Sequence, residues 1–378
     1  MWGYKMTVII KSNQKATKSL GNIFGIKGPR DYSLILDFNQ QIYLKKKSGT
    51  QQISLSEAIS LTRNTKATYL DETGLLKTAE PNEARIHFDP ISGKKGLLLE
   101  ALHMQLLTDI YTPASQSINV THNANDRLIL SCKGSGRVSL SGNVSLVAGS
   151  PEYASENAPA MYQTTATGQV NVTVTGSLEV FSLHFVSSAT GASAKMFTPS
   201  GLTSVSSDAC KLNPDLFNEI LGGLTEYTIL MNVRERKRPA PGAYTSRNTV
   251  FALIDSSPND KKGVHLSRNL GSAPRFIYSF LNADGTIVKN RTLLAADTIH
   301  NQTYVLSHSN NLTEAYVARN GEVDVAEGAF SLSQKELVLG SPTSAIATSC
   351  LNGIITMLVV YPYKMTYAQV QELSKSLL

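Results

Sequence analysis

Apolar and polar residues alternate along most of the segment 119–186, and this alternation constrains the fold more than any other feature of the chain. RVSLSGNVSL carries an apolar residue at every second position on both sides of a Ser-Gly-Asn turn, and QVNVTVTGSLEV repeats the pattern around Gly176. A period of two with Gly-containing breaks is typical of half-buried antiparallel strands. The alternation slips by one residue at Phe181-Ser182, which predicts a bulge or a strand end there. Residues 111–190 are therefore predicted to form a small β-sandwich.

The C-terminal part, residues 211–378, carries a second series of strand-like runs separated by turn sequences. Asn320-Gly321 and Asn352-Gly353 are among these turns, and Asn-Gly is the strongest short signal for a hairpin. In the closing stretch KMTYAQVQELSKSLL, Thr366 can cap a helix and Gln369 can complete the capping box. These patterns predict a two-sheet, jelly-roll-like sandwich that ends in a short helix.

Residues 1–110 show no pattern of an independent core and are predicted to form an N-terminal attachment and connector region. DYSLILDFNQQIYLKKK predicts a strand or a hairpin over residues 32–44, and SLSEAISLTR predicts a short helix capped by Ser54 or Ser56. Residues 191–210, rich in small and polar side chains, predict a linker. The predicted fold class is thus mainly β, with an N-terminal region, two antiparallel β-sandwiches and a C-terminal helix.

The formal net charge of +6 is spread along the chain and does not favour a nucleic-acid partner. The one dense basic cluster, RERKR at 234–238, precedes PAPG and predicts a solvated loop, because nucleic-acid sites add aromatic or motif support to a basic face. Cys132, Cys210 and Cys350 are far apart and odd in number, so we expect reduced thiols. No apolar run has the length of a signal-peptide core or of a membrane span, which predicts no membrane insertion.

Motifs for catalysis and metal binding are absent from the sequence. The seven histidines form no HxH or HExxH pattern, and neither GxSxG nor GxxxxGK[ST] occurs. We therefore expect no catalytic residues, no metal ligands and no cofactor. Two carboxylates could still converge from distant strands, as in glycoside hydrolases, but the sequence favours no pair.

The stretch 63–100 combines charged residues, turn sequences and one apolar run. Turns are predicted at 71–74, 79–82 and 89–93, and the apolar run at 97–99 predicts a buried strand or docking segment. Arg63, Arg85 and Glu100 can pair with carboxylates, carbonyl groups or neighbouring chains. Arg85 in particular is predicted to be at least partly buried between such partners. We interpret the stretch as a rigid connector rather than a catalytic loop.

This connector resembles one found in many tailed-phage virion proteins, especially fibre, spike and head-decoration proteins. Their pattern runs roughly R-x-S/T-x-A-T-Y-x-D-x-x-G-x-x-x-x-A-x-x-N-x-x-R, followed by a turn and G-L-L-I-E. The matching residues of this chain are Arg63, Thr65, Ala67, Thr68, Tyr69, Gly74, Ala79, Asn82, Arg85, Gly96, Leu97, Leu98 and Glu100. Further on, Gln105 stands where the pattern has Asn.

The resemblance implies a non-enzymatic structural component of a bacteriophage virion, made in the bacterial host cytoplasm. It would be a fibre, whisker or decoration protein that displays its sandwiches outward. The resemblance implies that the small one, residues 111–190, is similar to a carbohydrate-binding module and the C-terminal one to concanavalin A or laminin G. Its partners would be capsid, collar or tail proteins, and family analogy implies a homo-oligomer such as a trimer. The resemblance also implies which residues form the connector or take part in its assembly: Arg63, Thr68, Tyr69, Gly74, Asn82, Arg85, Gly96 and Glu100.

Two other functions stay open. A tail lectin that binds a host surface glycan would use exposed tyrosines of the C-terminal sandwich, for which the candidates are Tyr244, Tyr278, Tyr304 and Tyr316. Each of these is also typical of a residue that packs within a sheet, and the single tryptophan, Trp2, lies outside that sandwich. A glycan-degrading enzyme is the third function and has no supporting motif.

Overall fold

The computed structural model describes residues 31–156, 158–186, 197–200, 204–235, 247–254, 263–269, 275–281, 287–294, 302–309, 314–327, 336–341 and 351–376. Every strand pairing in these residues is antiparallel, and the strands form sheets that pack in two sandwiches. The predicted fold class, mainly β with antiparallel sandwiches and a short C-terminal helix, is confirmed.

The elements follow one another in this order along the chain. The first third contains β1 (Leu34–Asp37), β2 (Ile42–Lys46), β3 (Thr50–Gln52), α1 (Leu55–Ala58), β4 (Ile59–Thr62), β5 (Ala67–Leu70), β6 (Leu76–Ala79), β7 (Ile86–Asp89), β8 (Lys94–Leu99) and β9 (His103–Gln105). The middle contains β10 (Gln116–Val120), β11 (Arg127–Lys133), β12 (Arg137–Gly142), β13 (Val144–Leu146), β14 (Ala160–Thr164), β15 (Gly168–Thr175), β16 (Val180–Val186), β17 (Ser204–Val205), β18 (Ala209–Leu212) and α2 (Pro214–Ile220). The last part contains β19 (Glu226–Glu235), β20 (Arg247–Ile254), β21 (Gly263–Asn269), β22 (Arg275–Leu281), β23 (Ile287–Leu294), β24 (Gln302–Ser309), β25 (Glu314–Arg319), β26 (Glu322–Glu327), β27 (Glu336–Leu339), β28 (Gly353–Tyr361) and α3 (Tyr367–Lys375).

The small sandwich packs the sheet β10-β15-β12 against the sheet β13-β14-β11-β16-β9-β17. Its core contains the apolar side chains that alternate in the sequence, such as Val138, Val170 and Val172. The strands β9 and β17 lie outside the predicted range 111–190, and β17 falls in the predicted linker. Those boundaries are therefore wrong, because the second sheet recruits a short strand from each flanking segment.

The predicted bulge or strand end at Phe181-Ser182 is also wrong. The strand β16 begins at Val180 and runs against β11 without a register shift as far as Val186. It lies between β11 and β9, and residues 180–184 are all buried. Because both faces of this strand are covered, apolar residues can occupy either phase of the alternation.

The large sandwich packs the sheet β26-β25-β24-β19-β28-β1-β2-β3 against the sheet β23-β22-β21-β20-β27-β18-β4, and β8 joins the first sheet beside β28. The side chains of β19 alternate between two environments. Ile229 and Met231 point into the core between the sheets, whereas Leu230 lies on the outer face. The helix α3 covers that outer face with Val370 and Leu373.

The first strands of the chain belong to this large sandwich. The strand β1 pairs with β28 in the register Leu34↔Val360, and Leu34 and Leu36 are fully buried in its core. The strand β4 pairs with β18 in the other sheet. The predicted separation between an N-terminal region ending at residue 110 and a sandwich beginning at 211 is therefore wrong. No local signal in the short N-terminal strands could show a strand partner more than 300 positions away.

The small sandwich is an insertion into the large one. The chain leaves the large sandwich after β8, which pairs with β28, and returns at β18, which pairs with β4 and β27. At this point Asp208 and Glu100 lie side by side, since the amide of Asp208 donates to the Glu100 carbonyl at 2.9 Å. We call these two adjacent chain segments, at Glu100 and at Asp208, the neck.

The predicted helix caps and two of the predicted hairpins are confirmed. Ser54 caps α1 and Thr366 caps α3, each with a complete capping box. The segment 32–44 forms the β1–β2 hairpin. Asn320 and Gly321, both at positive φ, join β25 to β26 as predicted, whereas Asn352 at φ 50° precedes β28 and closes no hairpin.

The basic cluster and the three cysteines lie partly within the described residues. Arg234 lies in β19 and forms an ion pair with Asp89, while the rest of its basic cluster lies outside those residues. Cys132 and Cys210 are buried and form no disulfide, as expected, and Cys350 also lies outside them. In the same part of the chain, no helix has the length and apolar character needed to cross a membrane.

Candidate functional site

The connector 63–100 is held at its start by two reciprocal hydrogen bonds between Arg63 and Asn82. Asn82 sits in the left-handed region at φ 62°, where Asn is tolerated better than most residues. Its side-chain oxygen accepts from the amide of Arg63 at 2.9 Å, and its own amide donates to the Arg63 carbonyl at 3.0 Å. The turn at 80–83 is thereby fixed against the residue that follows β4.

The guanidinium of Arg63 is fully buried and uses all three of its nitrogen atoms. Nε donates to the carbonyl of Thr65 at 2.9 Å. Nη2 donates to the carbonyls of Glu80 and Glu83 at 2.7 and 2.9 Å, and Nη1 donates to Oδ1 of Asp208 at 3.0 Å. One side chain therefore satisfies two carbonyl groups of the turn and binds it to the neck.

Arg85 is the second buried cation, and its predicted burial and bridging are confirmed. Its Nη1 donates to Oε2 of Glu100 at 2.6 Å and to the Thr68 carbonyl at 2.9 Å, and its Nη2 donates to Oδ2 of Asp208. The side chain is about 1% exposed, and those of Glu100 and Asp208 are nearly as inaccessible. The strand β5 and both segments of the neck thus meet at one guanidinium.

The four charges of this network balance one another. Burial lowers the pKa of Arg85, but the nearby Asp208 and Glu100 outweigh it and the net shift is upward. For Arg63, burial dominates and the pKa falls. An arginine stays protonated through such shifts, so we treat the group as two cations and two carboxylates. Asp208 escaped the sequence analysis because it is a single acid in a polar stretch that was predicted to be a linker.

The other residues of the resemblance have structural roles in the connector. Thr68 donates its hydroxyl to the Phe197 carbonyl, and Tyr69 is half-buried in β5. Gly74 occupies the turn between β5 and β6 at φ 78°. A Cβ at Gly96 would lie 2.8 Å from the Ile355 carbonyl oxygen, so only glycine lets β8 lie this close to β28.

A pair of buried histidines lies beside the neck and was not singled out by the sequence analysis. The rings of His103 in β9 and His184 in β16 meet edge to face with centroids 4.6 Å apart. Burial lowers the pKa of both imidazoles, more strongly for His184, although Glu100 acts in the opposite direction. Nε2 of His103 and Nδ1 of His184 have no hydrogen-bond partner. Burial therefore favours the neutral form of both rings.

Two of the four tyrosines predicted for glycan contact, Tyr304 and Tyr316, have described side chains. Tyr304 is 1% exposed and packs in the core of the large sandwich, so its predicted role as a surface contact is wrong. Tyr316 is half-buried, donates to Glu314 and lies under the ammonium group of Lys364. Tyr244 and the side chain of Tyr278 lie outside the described residues.

The chemistry available in this network is structural. Both carboxylates are buried against arginines, so neither can reach a substrate as a general acid or base. Among the residues that the structure describes, no three His, Cys, Asp or Glu side chains are grouped in a way that could hold a metal ion.

Comparisons with known proteins give distant structural similarities only. No protein-family model matches the chain, and no curated protein matches it. The carbohydrate-binding module CBM40 of the Ruminococcus gnavus IT-sialidase, bound to α2,6-sialyllactose, is 14% identical over 40% of this chain and 84% of its own, with a TM-score of 0.33. The NanB sialidase of Streptococcus pneumoniae is 14% identical over 42% of this chain and 25% of its own, with a TM-score of 0.34. A heptameric SAP-like pentraxin of Limulus polyphemus is 12% identical over 39% of this chain and 69% of its own, with a TM-score of 0.28. Similarities at this level do not decide what the chain binds or does.

Proposed function

We propose that the chain is a non-enzymatic structural component of a bacteriophage virion, a fibre, whisker or decoration protein that holds its β-sandwiches outward. One observation carries the proposal. The residues by which the connector resembles tailed-phage virion proteins include Arg63, Arg85 and Glu100, and these side chains form the buried network at the neck together with Asp208.

Such a network suits a protein that must keep one module at a fixed orientation to another. Buried charges are stabilising only when every partner is in place, so a change in the angle between the chain segments would separate at least one ion pair. The network therefore favours one arrangement of the neck. That property is useful in a displayed module and has no evident use in turnover of a substrate.

The proposed location can be tested on particles of the phage that encodes the chain. We expect the protein to band with density-purified particles at a fixed ratio to the major capsid protein, measured by quantitative mass spectrometry. Immunogold labelling should then place it at the collar, tail or capsid surface. Detection in the soluble lysate alone, with none in the washed particles, would refute the virion assignment.

The oligomeric state is a separate proposal. By analogy with fibre proteins, we expect a homo-oligomer and in particular a trimer, with a mass in solution three times the chain mass of 40.9 kDa. Light scattering coupled to size-exclusion chromatography measures this directly. A single species at 40.9 kDa over the whole accessible concentration range would contradict the trimer while leaving the location on the particle open.

A further inference from the structure

A groove lies between the β5–β6 hairpin of the connector and the edge of the small sandwich. Its volume is about 470 Å³, within the range of pockets that hold small ligands. The residues that line it are Leu75, Leu76, Lys77, Thr78, Tyr111, Glu179, Val180 and Ser200. We propose that this groove binds a neutral saccharide of one or two hexose units.

The apolar part of the groove offers a flat surface at a fixed position. The Tyr111 side chain is 38% exposed, and its hydroxyl donates to the Thr198 carbonyl at 3.0 Å. Because that hydroxyl is engaged, Tyr111 presents mainly its ring to a ligand. Leu75 is 55% exposed on the hairpin side, and the buried Val180 contributes to the wall. One face of a pyranose ring carries C–H groups that pack well on such a surface.

The polar part of the groove offers both donors and acceptors. Lys77 and Glu179 bring one charge of each sign, and Thr78 and Ser200 bring hydroxyl groups. Lys77 also pairs with Asp71 at 3.6 Å and Glu179 with Lys133, and the side chains of Lys77 and Glu179 are themselves 48% and 63% exposed in these pairs. Because one partner of each pair is open to solvent, the pairs are weak, and both groups can turn to the hydroxyls of a sugar at small cost.

The same composition argues against other ligand classes. A phosphate, sulfate or sialate group needs an excess of positive charge, and the lining has one cation against one anion. A lipid chain needs a wall that is apolar on all sides, whereas half of the lining residues are polar. A hydroxyl-rich neutral molecule with one apolar face matches both halves of the groove. This inference does not depend on the virion role, because binding is measured on the purified protein.

The test is saturation-transfer NMR on the full-length protein with lactose, cellobiose, maltose and chitobiose as neutral probes and 3′-sialyllactose as a charged probe. We expect at least one neutral disaccharide to bind, with a Kd below about 10 mM. The Tyr111→Ala change should weaken this binding at least about tenfold, and Tyr111→Phe, which keeps the ring, should keep it within about threefold. Tyr153→Ala is the matched control, because Tyr153 is similarly exposed at 40% but lies outside the groove and packs under Arg137.

Three results would overturn the inference. They are no saturation transfer to any of the four neutral probes, binding of the sialylated probe alone, and equal losses in Tyr111→Ala and Tyr153→Ala. If Tyr111→Ala fails to fold, Lys77→Ala takes its place, since Lys77 is exposed at the hairpin and its loss removes only a polar contact. That variant should weaken the binding about threefold or more, and unchanged binding would count against the site.

Discussion

Replacing Arg85 by alanine is the sharpest test of the neck. The change removes the contacts of the guanidinium with Glu100, with Asp208 and with the Thr68 carbonyl, and all three partners stay buried. Asp208 keeps Arg63 at 3.0 Å, so the site retains one cation for two carboxylates. Removing one partner of a buried ion pair costs about 3–5 kcal/mol, because the other charge remains in a medium that solvates it poorly.

The connector provides its own control for this experiment. Lys66 and Glu80 form an ion pair at 2.7 Å whose side chains are 51% and 61% exposed. An exposed pair contributes about 0–1 kcal/mol, so Lys66→Ala should be close to neutral. Arg85→Lys should fall between the two, since one ammonium group keeps the charge but cannot reproduce the planar fork that bridges both carboxylates.

Thermal unfolding followed by far-UV circular dichroism distinguishes these outcomes. A loss of about 3–5 kcal/mol lowers the midpoint of a domain of 150–250 residues by at least about 6 °C, whereas Lys66→Ala should stay within about 2 °C. Equal midpoints for Arg85→Ala and Lys66→Ala would refute the reasoning and make the connector a passive linker. Sugar binding in the groove should persist in Arg85→Ala below its unfolding midpoint, because Arg85 does not line that groove.

Three further predictions follow from the same contacts. Because the pKa values of His103 and His184 are lowered in the fold, the unfolded chain takes up protons near pH 6.5 before the folded chain does. The free energy of unfolding should therefore be level above about pH 6.5 and fall below it by up to about 1.4 kcal/mol per pH unit for each histidine. Urea titrations between pH 7.5 and 5.5 should show this slope, and a variant with both histidines replaced by Gln should lack it. The fragment 211–378 should not melt cooperatively in calorimetry, because it lacks β1, β4 and β8. A chain in which a short Gly-Ser linker replaces residues 103–205 keeps these strands and should melt cooperatively. A cooperative transition of the 211–378 fragment would contradict the observed sheet order. Gly96→Ala should lower the free energy of unfolding in urea by about 1–3 kcal/mol, because the added Cβ would meet the backbone of β28. Gly49→Ala should be nearly neutral in the same assay, because a Cβ added there would have no other atom within 4 Å.

Local features of this fold were predictable because the signals act over a few residues. A capping box needs only Thr366 and Gln369, and the Asn320-Gly321 hairpin needs only two residues that tolerate positive φ. The pairing of β1 with β28 has no such signal. Alternation identifies the buried face of a strand, but any strand with a matching face could be its neighbour.

The candidate site residues show the same difference between local signals and distant contacts. Arg63, Arg85 and Glu100 stood out because charged residues beside apolar runs and turns need partners, and they have them. Asp208 did not stand out, since its role depends on a contact across more than 100 positions. Tyr304 was misassigned because a tyrosine in a strand looks the same in sequence whether it faces solvent or the core.

The neck explains why so many specific residues are found in the stretch 63–100. An inserted domain attached by two chain segments can tilt about its base unless the segments are fixed to each other and to the host sheet. Here the amides of Glu100 and Asp208 fix the segments mutually, the first donating to the Asp208 side chain at 2.8 Å and the second to the Glu100 carbonyl at 2.9 Å. Arg85 and Arg63 then bind that pair to the β5 strand and to the turn at 80–83. Loss of any one partner leaves buried charge behind, so the network is stable only as a whole, and it sets the direction in which the small sandwich leaves the large one.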